Sequence, residues 1–359
     1  MQENLSGLSF DDVFIRPLRT DVDPTEVSLA SEVFRGHVAQ LPLVASPMHT
    51  VFSPSLAKKL ARFSVPSPIP RMEHSQLQAT LTTVDWKPLV VAVSPFEDAA
   101  VREALDTENV DYVLLDTVVG HHQKIFRLLD SLSTSDLARV IVGNIATAEA
   151  ASDLLPYHPA AVRVGIGAGS ICTTAVVTGV GVPQLQAISE VSSVLRNTNI
   201  KIISCGGIRS AGDIAKAIAA GAHSVMMGKA FASTTEAAGH VKDIDGVSYK
   251  WYEGMHYSSL EFNNQCSGGG LDASLENLHH REHHRTEGVS GFVRHTGPVD
   301  TLLEYLSRCL SASLAFVGAR DIPEFQSKAV LQRMSPAAYG HSRSHGIDQI
   351  VKRDVIMQG

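Results

Sequence analysis

The stretch Val164-Gly165-Ile166-Gly167-Ala168-Gly169-Ser170-Ile171-Cys172-Thr173-Thr174, running on through Thr178-Gly179-Val180-Gly181-Val182-Pro183-Gln184, decides how the chain is read. An apolar run over 161–166 predicts a buried strand, and alternating glycines then allow positive φ and close approach of backbone to a bound group. Cys172 follows directly. A loop of this kind sets a thiol at the C-terminal mouth of a strand, among backbone N–H groups and the Thr173 and Thr174 hydroxyls, where it can serve as a nucleophile. The alternative is a glycine-rich turn around a buried, inert cysteine.

Working outward, short apolar runs recur at 41–45, 65–69, 89–93, 112–115, 140–142, 161–166, 201–204 and 224–227, each followed by a turn signal and a helical pattern. Only the gap between the sixth and seventh is long, and it holds the Cys172 loop. Eight strands alternating with helices predict a single-domain (β/α)8 TIM barrel with its functional groups on the loops after the strands. A doubly wound open sheet is the other architecture this alternation allows. The segment 147–155 is rich in helix formers, Ser210 stands as an N-cap with Asp213 three residues on, and residues 300–318 have helical periodicity, with Cys309 among them. Polar or glycine residues close successive runs: Ser46-Pro47-Met48, Asp116-Thr117, Gly143-Asn144, Gly206-Gly207 and Gly228. In register at one end of a barrel, they predict a mouth that binds a phosphorylated ligand through backbone N–H groups, although each alone is ordinary turn chemistry.

The chain has 359 residues, 44% of them hydrophobic, and a net charge of −7 with no basic block, so nucleic acid and anionic membranes are not the expected partners. No apolar run reaches the ~18 residues of a membrane span. Four dispersed cysteines (172, 205, 266, 309) and an opening Met-Gln-Glu-Asn-Leu predict a reducing, cytoplasmic setting.

These motifs together resemble the inosine-monophosphate dehydrogenase and guanosine-monophosphate reductase family. The glycine–cysteine loop is similar to its G-x-G-S-x-C-x-T and G-V-G-x-P-Q elements. Leu8-Ser-Phe-Asp-Asp12, Ser46-Pro-Met48, Asp116-Thr-Val-Val-Gly-His121, Gly143-Asn144, Gly206-Gly-Ile-Arg-Ser-Ala-Gly-Asp213, Val225-Met-Met-Gly228, Tyr252-Glu-Gly-Met255 and Glu287-Gly-Val-Ser-Gly291 resemble the others. The resemblance implies a purine nucleotide monophosphate as substrate, NAD or NADP as cofactor, and a homotetramer. It implies that Ser170, Gly207 and Gly228 hold the 5′-phosphate and that Ser46, Met48, Asn144, Gly206, Tyr252, Gly254 and Met255 frame the nucleotide; Lys229, after Gly228, either adds charge against the phosphate or faces solvent. Asp116, Thr117, Gly165 and Gly167 would face the cofactor, and the carbonyls of Gly167, Gly169 and Cys172 a monovalent cation such as K+. In the implied chemistry Cys172 adds to purine C2 and hydride passes to or from a nicotinamide; Thr174 and Glu287 are candidates to move protons. An exposed loop carboxylate is the other reading of Glu287.

The chain departs from the family pattern at several points. Only about twenty residues separate the second and third runs, so the regulatory domain pair is not expected there. The flap, predicted over 256–286, lacks the dehydrogenases' Arg-Tyr pair; its His280 and His284 have metal-ligand spacing, but the segment reads as a solvated polar flap. His49, Val119 and Lys229 replace residues of other types. Cys205 stands where the family places the aspartate that accepts from the ribose hydroxyls. The dehydrogenase is the expected activity, the reductase the runner-up, and a non-catalytic nucleotide-binding regulator the alternative from another class.

Overall fold

A computed structural model describes residues 5, 7–254 and 289–341. Seven parallel strands share one sheet: β1 (Leu43–Ala45), β2 (Val90–Val93), β3 (Tyr112–Asp116), β4 (Val140–Ile145), β5 (Ala161–Val164), β6 (Lys201–Cys205) and β7 (Ser224–Met227). Their order is β1-β7-β6-β5-β4-β3-β2, so the first strand pairs with the last and the sheet curls towards closure. Most strand residues are buried on both faces, as a parallel sheet inside a layer of helices requires.

The position expected for a strand at 65–69 is filled, but without a ladder. Ala45 N donates to Pro66 O (2.9 Å), Ile69 N to Val90 O (2.8 Å) and Ala92 N to Ile69 O (2.9 Å), leaving one isolated bridge between Ile69 and Val91. The physical reason is Pro66, Pro68 and Pro70, which have no N–H to give. The run at 161–166 is shorter than expected for a different reason: β5 stops at Val164 because Gly165 turns the backbone to φ 141°.

The predicted N-cap at Ser210 is present, and the helix-former segment at 147–155 gains a cap from Thr147. Ser210 Oγ accepts from Asp213 N (3.1 Å) at the head of Ala211–Ala219, and Thr147 Oγ1 from Ala150 N (3.2 Å) at the head of Ala148–Leu154. The C-terminal periodicity becomes Val299–Ala315, which buries Leu302, Leu306, Leu310 and Leu314 and packs on Ala211–Ala219. Cys309 is half-buried there. The N-terminal segment is latched to the barrel by Lys216 Nζ on Phe10 O (2.8 Å) and an Arg209–Asp11 ion pair. That latch sets the Phe10 ring against Gly207, 3.3 Å from where a Cβ would stand. At the mouth, β8 (Lys242–Ile244), β9 (Val247–Glu253) and β10 (Ser290–Arg294) form an antiparallel sheet. Its buried Lys250 donates to the carbonyls of Thr234 (2.8 Å) and Ala237 (2.7 Å). No described helix is long and apolar enough to cross a membrane.

At the opposite end of the barrel, His223 stitches β6 to β7: its N donates to Ile202 O (2.8 Å) and its Nδ1 accepts from Ile202 N (3.0 Å). Burial, with help from Lys201, pushes its pKa from 6.5 down to about 4. The neutral ring is therefore the folded form, and its stabilisation is full above pH 6.5 and lost as pH falls towards 4. The difference corresponds to roughly 3 kcal/mol, reduced to about 2 for partial solvent screening. Urea titrations between pH 7 and pH 4 are expected to show His223→Gln losing about 2 kcal/mol less than the parent protein; parallel losses in both would exclude His223 as the group responsible.

Candidate active site

The centre of the barrel carries a buried cation. Arg163 on β5 is 3% exposed and donates through Nη2 to Asp116 Oδ1 at the end of β3 (2.5 Å), and through Nε to Asn144 Oδ1 on β4. Burial works against its charge, but the Asp116 carboxylate more than offsets this and holds the guanidinium above its ordinary pKa. Asn144 Nδ2 in turn donates to Gly165 O (2.5 Å), at the root of the Cys172 loop. From the other side Gln184, 3% exposed, donates to Val164 O (2.8 Å) and Ser204 Oγ (3.1 Å). The loop therefore leaves β5 in one fixed direction.

The loop then folds over β6. Gly206 has φ 107°, and a Cβ there would stand 3.1 Å from Gly169 N. Gly167 (φ 83°) lies against Ala175 and Gly181. Cys172 is half-buried: its N donates to Gly169 O (3.2 Å) and its Sγ lies 3.2 Å from Thr174 Oγ1. Beside it, Tyr252 from β9 reaches Ser170 with its hydroxyl and lies 3.8 Å from Met48 Sδ. Burial pushes this phenol up to about 12, so Tyr252 is a neutral donor. Gly228 sits beneath it, where a Cβ would approach Tyr252 Oη to 2.4 Å and Met48 Sδ to 3.1 Å. Backbone, hydroxyls and a thioether thus converge around Ser170, two residues before the thiol.

A groove of about 470 Å³ opens from this mouth. Its inner end is lined by Met48, His49, Asp116, Glu253 and Gly254, and its outer end runs between the helices His74–Leu81 and Asp98–Asp106. Asp116 Oδ2 is buried in its wall with no hydrogen-bond partner among the described residues; Arg71 Nε stands 3.4 Å away as an ion pair. Burial lowers the pKa of His49, whose ring also bonds the Arg71 backbone, so it is neutral at physiological pH.

The sequence model described as "IMP dehydrogenase / GMP reductase domain" matches residues 7–345. The chain belongs to this family. It is 41% identical over 267 residues to an inosine-5′-monophosphate dehydrogenase of Methanocaldococcus jannaschii (72% of this chain, 53% of the relative). It is 34% identical over 345 residues to the one of Thermoplasma acidophilum (95% and 66%), and 31% over 392 residues to that of Cryptosporidium parvum (96% and 96%). The chain thus spans 53% and 66% of the first two relatives and nearly all of the third.

Within this IMP dehydrogenase / GMP reductase fold, the residues expected to hold a nucleotide do meet: Met48, Ser170, Gly228 and Tyr252 share one corner, with Lys229 heading the short helix behind Gly228. Gly206 and Gly207 close the neighbouring wall, and buried Ser46 ties β1 to Met227 O (3.0 Å). Cys205 belongs to the Arg163 cluster; burial raises its thiol pKa, and its Sγ lies 3.9 Å from Met226 Sδ. It is uncharged there. The cofactor candidates separate: Asp116 lines the groove, while Thr117 bonds Gly143 O (3.3 Å), and Gly165 and Gly167 form the base of the cysteine loop. Met255, Cys266, the flap at 256–286, His280, His284 and Glu287 lie outside the described residues. Sequence reasoning missed Arg163 and Arg71. A lone arginine inside the apolar run Ala161-Val162-Arg163-Val164 was the available signal, since a buried charge requires a partner; Arg71 had none.

The contact of Gly228 with Tyr252 makes a measurable coupling. Gly228→Ala is expected to cost about 1–3 kcal/mol by forcing Tyr252 aside. The cost is expected to fall by at least about 1 kcal/mol in a Tyr252→Phe background, where the nearest atom is gone. Denaturant unfolding of the four proteins checks this; additive effects would mean that the hydroxyl does not occupy that space.

Proposed function

We propose that this chain is a purine-nucleotide oxidoreductase of the IMP dehydrogenase type, converting inosine monophosphate, a nicotinamide dinucleotide and water to xanthosine monophosphate. The observation that carries the reading is the half-buried Cys172 held beside the Ser170–Tyr252–Gly228–Met48 corner. A nucleotide whose phosphate meets Ser170 and the backbone at Gly206, Gly207 and Gly228, and whose base lies on Met48, brings a purine ring to the thiol. The Cys172 thiolate adds to C2, and Thr174 Oγ1, 3.2 Å from Sγ, is placed to take or return a proton. When bound, the nicotinamide supplies the hydride acceptor. Water then attacks C2, the C–S bond breaks, and the thiolate is regenerated. Glu287 is the further candidate for moving protons in that second half.

The groove suits the cofactor. Asp116 Oδ2, buried and without a hydrogen-bond partner among the described residues, fits a ribose hydroxyl. The carboxylates of Glu73, Glu97 and Glu103 in the groove's lining favour NAD over NADP, since they accept from hydroxyls and repel an added phosphate. The carbonyls of Gly167, Gly169 and Cys172 are the proposed seat of a monovalent cation, and a homotetramer in the cytoplasm is the proposed state of the whole protein. The reductase, acting on guanosine monophosphate, remains the comparison arm of the assay; the names of the relatives support the dehydrogenase.

Following nicotinamide absorbance with inosine monophosphate plus NAD, against guanosine monophosphate plus NADPH, is expected to show reduction with the first pair. Signal only with the second pair would make the chain a reductase; nucleotide binding without turnover would make it a regulator. Cys172→Ser is expected to lower kcat on the order of a thousandfold or more while nucleotide binding persists, because an unassisted hydroxyl is a poor nucleophile. Retention of most activity would end the covalent mechanism.

Cys205 adds a second test. A neutral thiol is a weak acceptor for ribose hydroxyls, so Cys205→Asp is expected to tighten binding of a ribonucleotide about tenfold relative to its 2′-deoxy analogue. Equal effects on both, measured calorimetrically, would place the sugar away from residue 205.

A further inference from the structure

The groove holds one feature that hydride transfer does not use. Among its described lining residues Arg71 is the only lysine or arginine, set among the carboxylates of Glu73, Glu97, Glu103, Asp116 and Glu253. Of its histidines, His49 is neutral, and His74 Nδ1 lies 3.2 Å from Glu103, which also accepts from Gln78 Nε2 (3.0 Å). Asp116 does not need Arg71 for charge balance either, because Arg163 already meets it at 2.5 Å. Arg71 therefore brings a charge in excess of its nearest partner. Its Nε faces Asp116 Oδ2 at 3.4 Å, and its side chain remains 42% exposed, with the two Nη groups beyond that contact. In sequence it stands just before Met72, Glu73 and His74, where the inner end of the groove passes into the outer end.

A cation at the middle of a groove with an Asp116 acceptor at one end and an acidic, partly apolar compartment at the other selects for a ligand with a particular charge pattern. The ligand has uncharged, hydroxyl-bearing ends and an anionic centre. Guanidinium forks match phosphate oxygens, and a bidentate contact there would cost Asp116 nothing, since Nε rather than Nη faces it. Resting on the dinucleotide reading above, we propose that Arg71 is a positioning residue for the cofactor: it holds the pyrophosphate bridge at mid-groove and so sets how far the nicotinamide end reaches towards Cys172. The Nε–Asp116 pair aligns the fork, so a change at Arg71 acts on the dinucleotide and leaves the purine nucleotide in its own corner.

The test uses the full chain and reads binding directly. Calorimetric titration of NAD and, separately, inosine monophosphate is made for the parent, Arg71→Gln and Arg71→Lys at several KCl concentrations. Arg71→Gln is expected to weaken NAD at least about tenfold, to flatten the salt dependence of NAD binding, and to leave the inosine monophosphate Kd within about twofold. Arg71→Lys is expected to restore the salt dependence and part of the affinity, a point charge without the fork. An unchanged NAD Kd in Arg71→Gln, a parent-like salt dependence, or an equal loss for both ligands would overturn the assignment. A parent protein that binds NAD through Arg71 but does not oxidise inosine monophosphate would leave the assignment standing and remove the activity. A parent that binds no NAD at all would remove both.

Discussion

The ion pair between Arg163 and Asp116 is the constraint on which the mouth of this barrel depends. It lies inside the sheet, where an uncompensated charge would be costly, and it links the ends of β3 and β5 with Asn144 of β4 between them. Removing either partner of such a pair typically costs about 3–5 kcal/mol, because the other is left charged and buried. Its geometry is consequently inflexible, and the flexible-looking glycine loop inherits that rigidity: Asn144 fixes Gly165 O from one side and Gln184 fixes Val164 O from the other. The same carboxylate that neutralises Arg163 turns its second oxygen to the groove. One residue thus belongs both to the core and to the ligand space.

Close approach of backbones does the rest. Gly206 lets β6 lie under Ala168 and Gly169, Gly207 admits the Phe10 ring, and Gly228 leaves room for Tyr252 Oη. Each contact joins segments far apart in the chain, and each would be closed by a methyl group. The N-terminal segment contributes through the same logic, since Lys216 and Arg209 hold it where Phe10 can cover Gly207. The site is built more from what is missing on these glycines than from side chains pointed into it.

Much of this was legible in the sequence. The strand–helix alternation predicted the barrel, and the spacing of Ser46, Asp116, Gly143, Gly206 and Gly228 after successive apolar runs placed them together at one end of it. The corner of Met48, Ser170, Gly228 and Tyr252 was predicted by likeness alone, because nothing in local pattern tells that β9 folds back over β1 and the cysteine loop. Arg163 was overlooked because it interrupts an apolar run without breaking it, and its partner is 47 residues away. The segment at 65–69 was over-read as a strand: its hydrophobicity is right, but alternate prolines forbid the ladder. Thr117, Gly165 and Gly167 were grouped with Asp116 by motif, whereas groove lining depends on which side of the strand end each residue falls.

The proline-rich segment has a consequence for how the barrel moves. Elsewhere neighbouring strands are joined by ladders of several paired residues, but between β1 and β2 the wall is held by Ala45 N on Pro66 O and the two bonds of Ile69. A seam with so few amide donors has the fewest bonds to break, so sub-global opening of the sheet is expected to start there. Arg71 lies two residues beyond Ile69, on the free margin of that seam. The cation of the groove therefore rides beside this seam while the thiol rides on a loop whose root Asn144 and Gln184 pin, and a ligand reaching both would bridge the two.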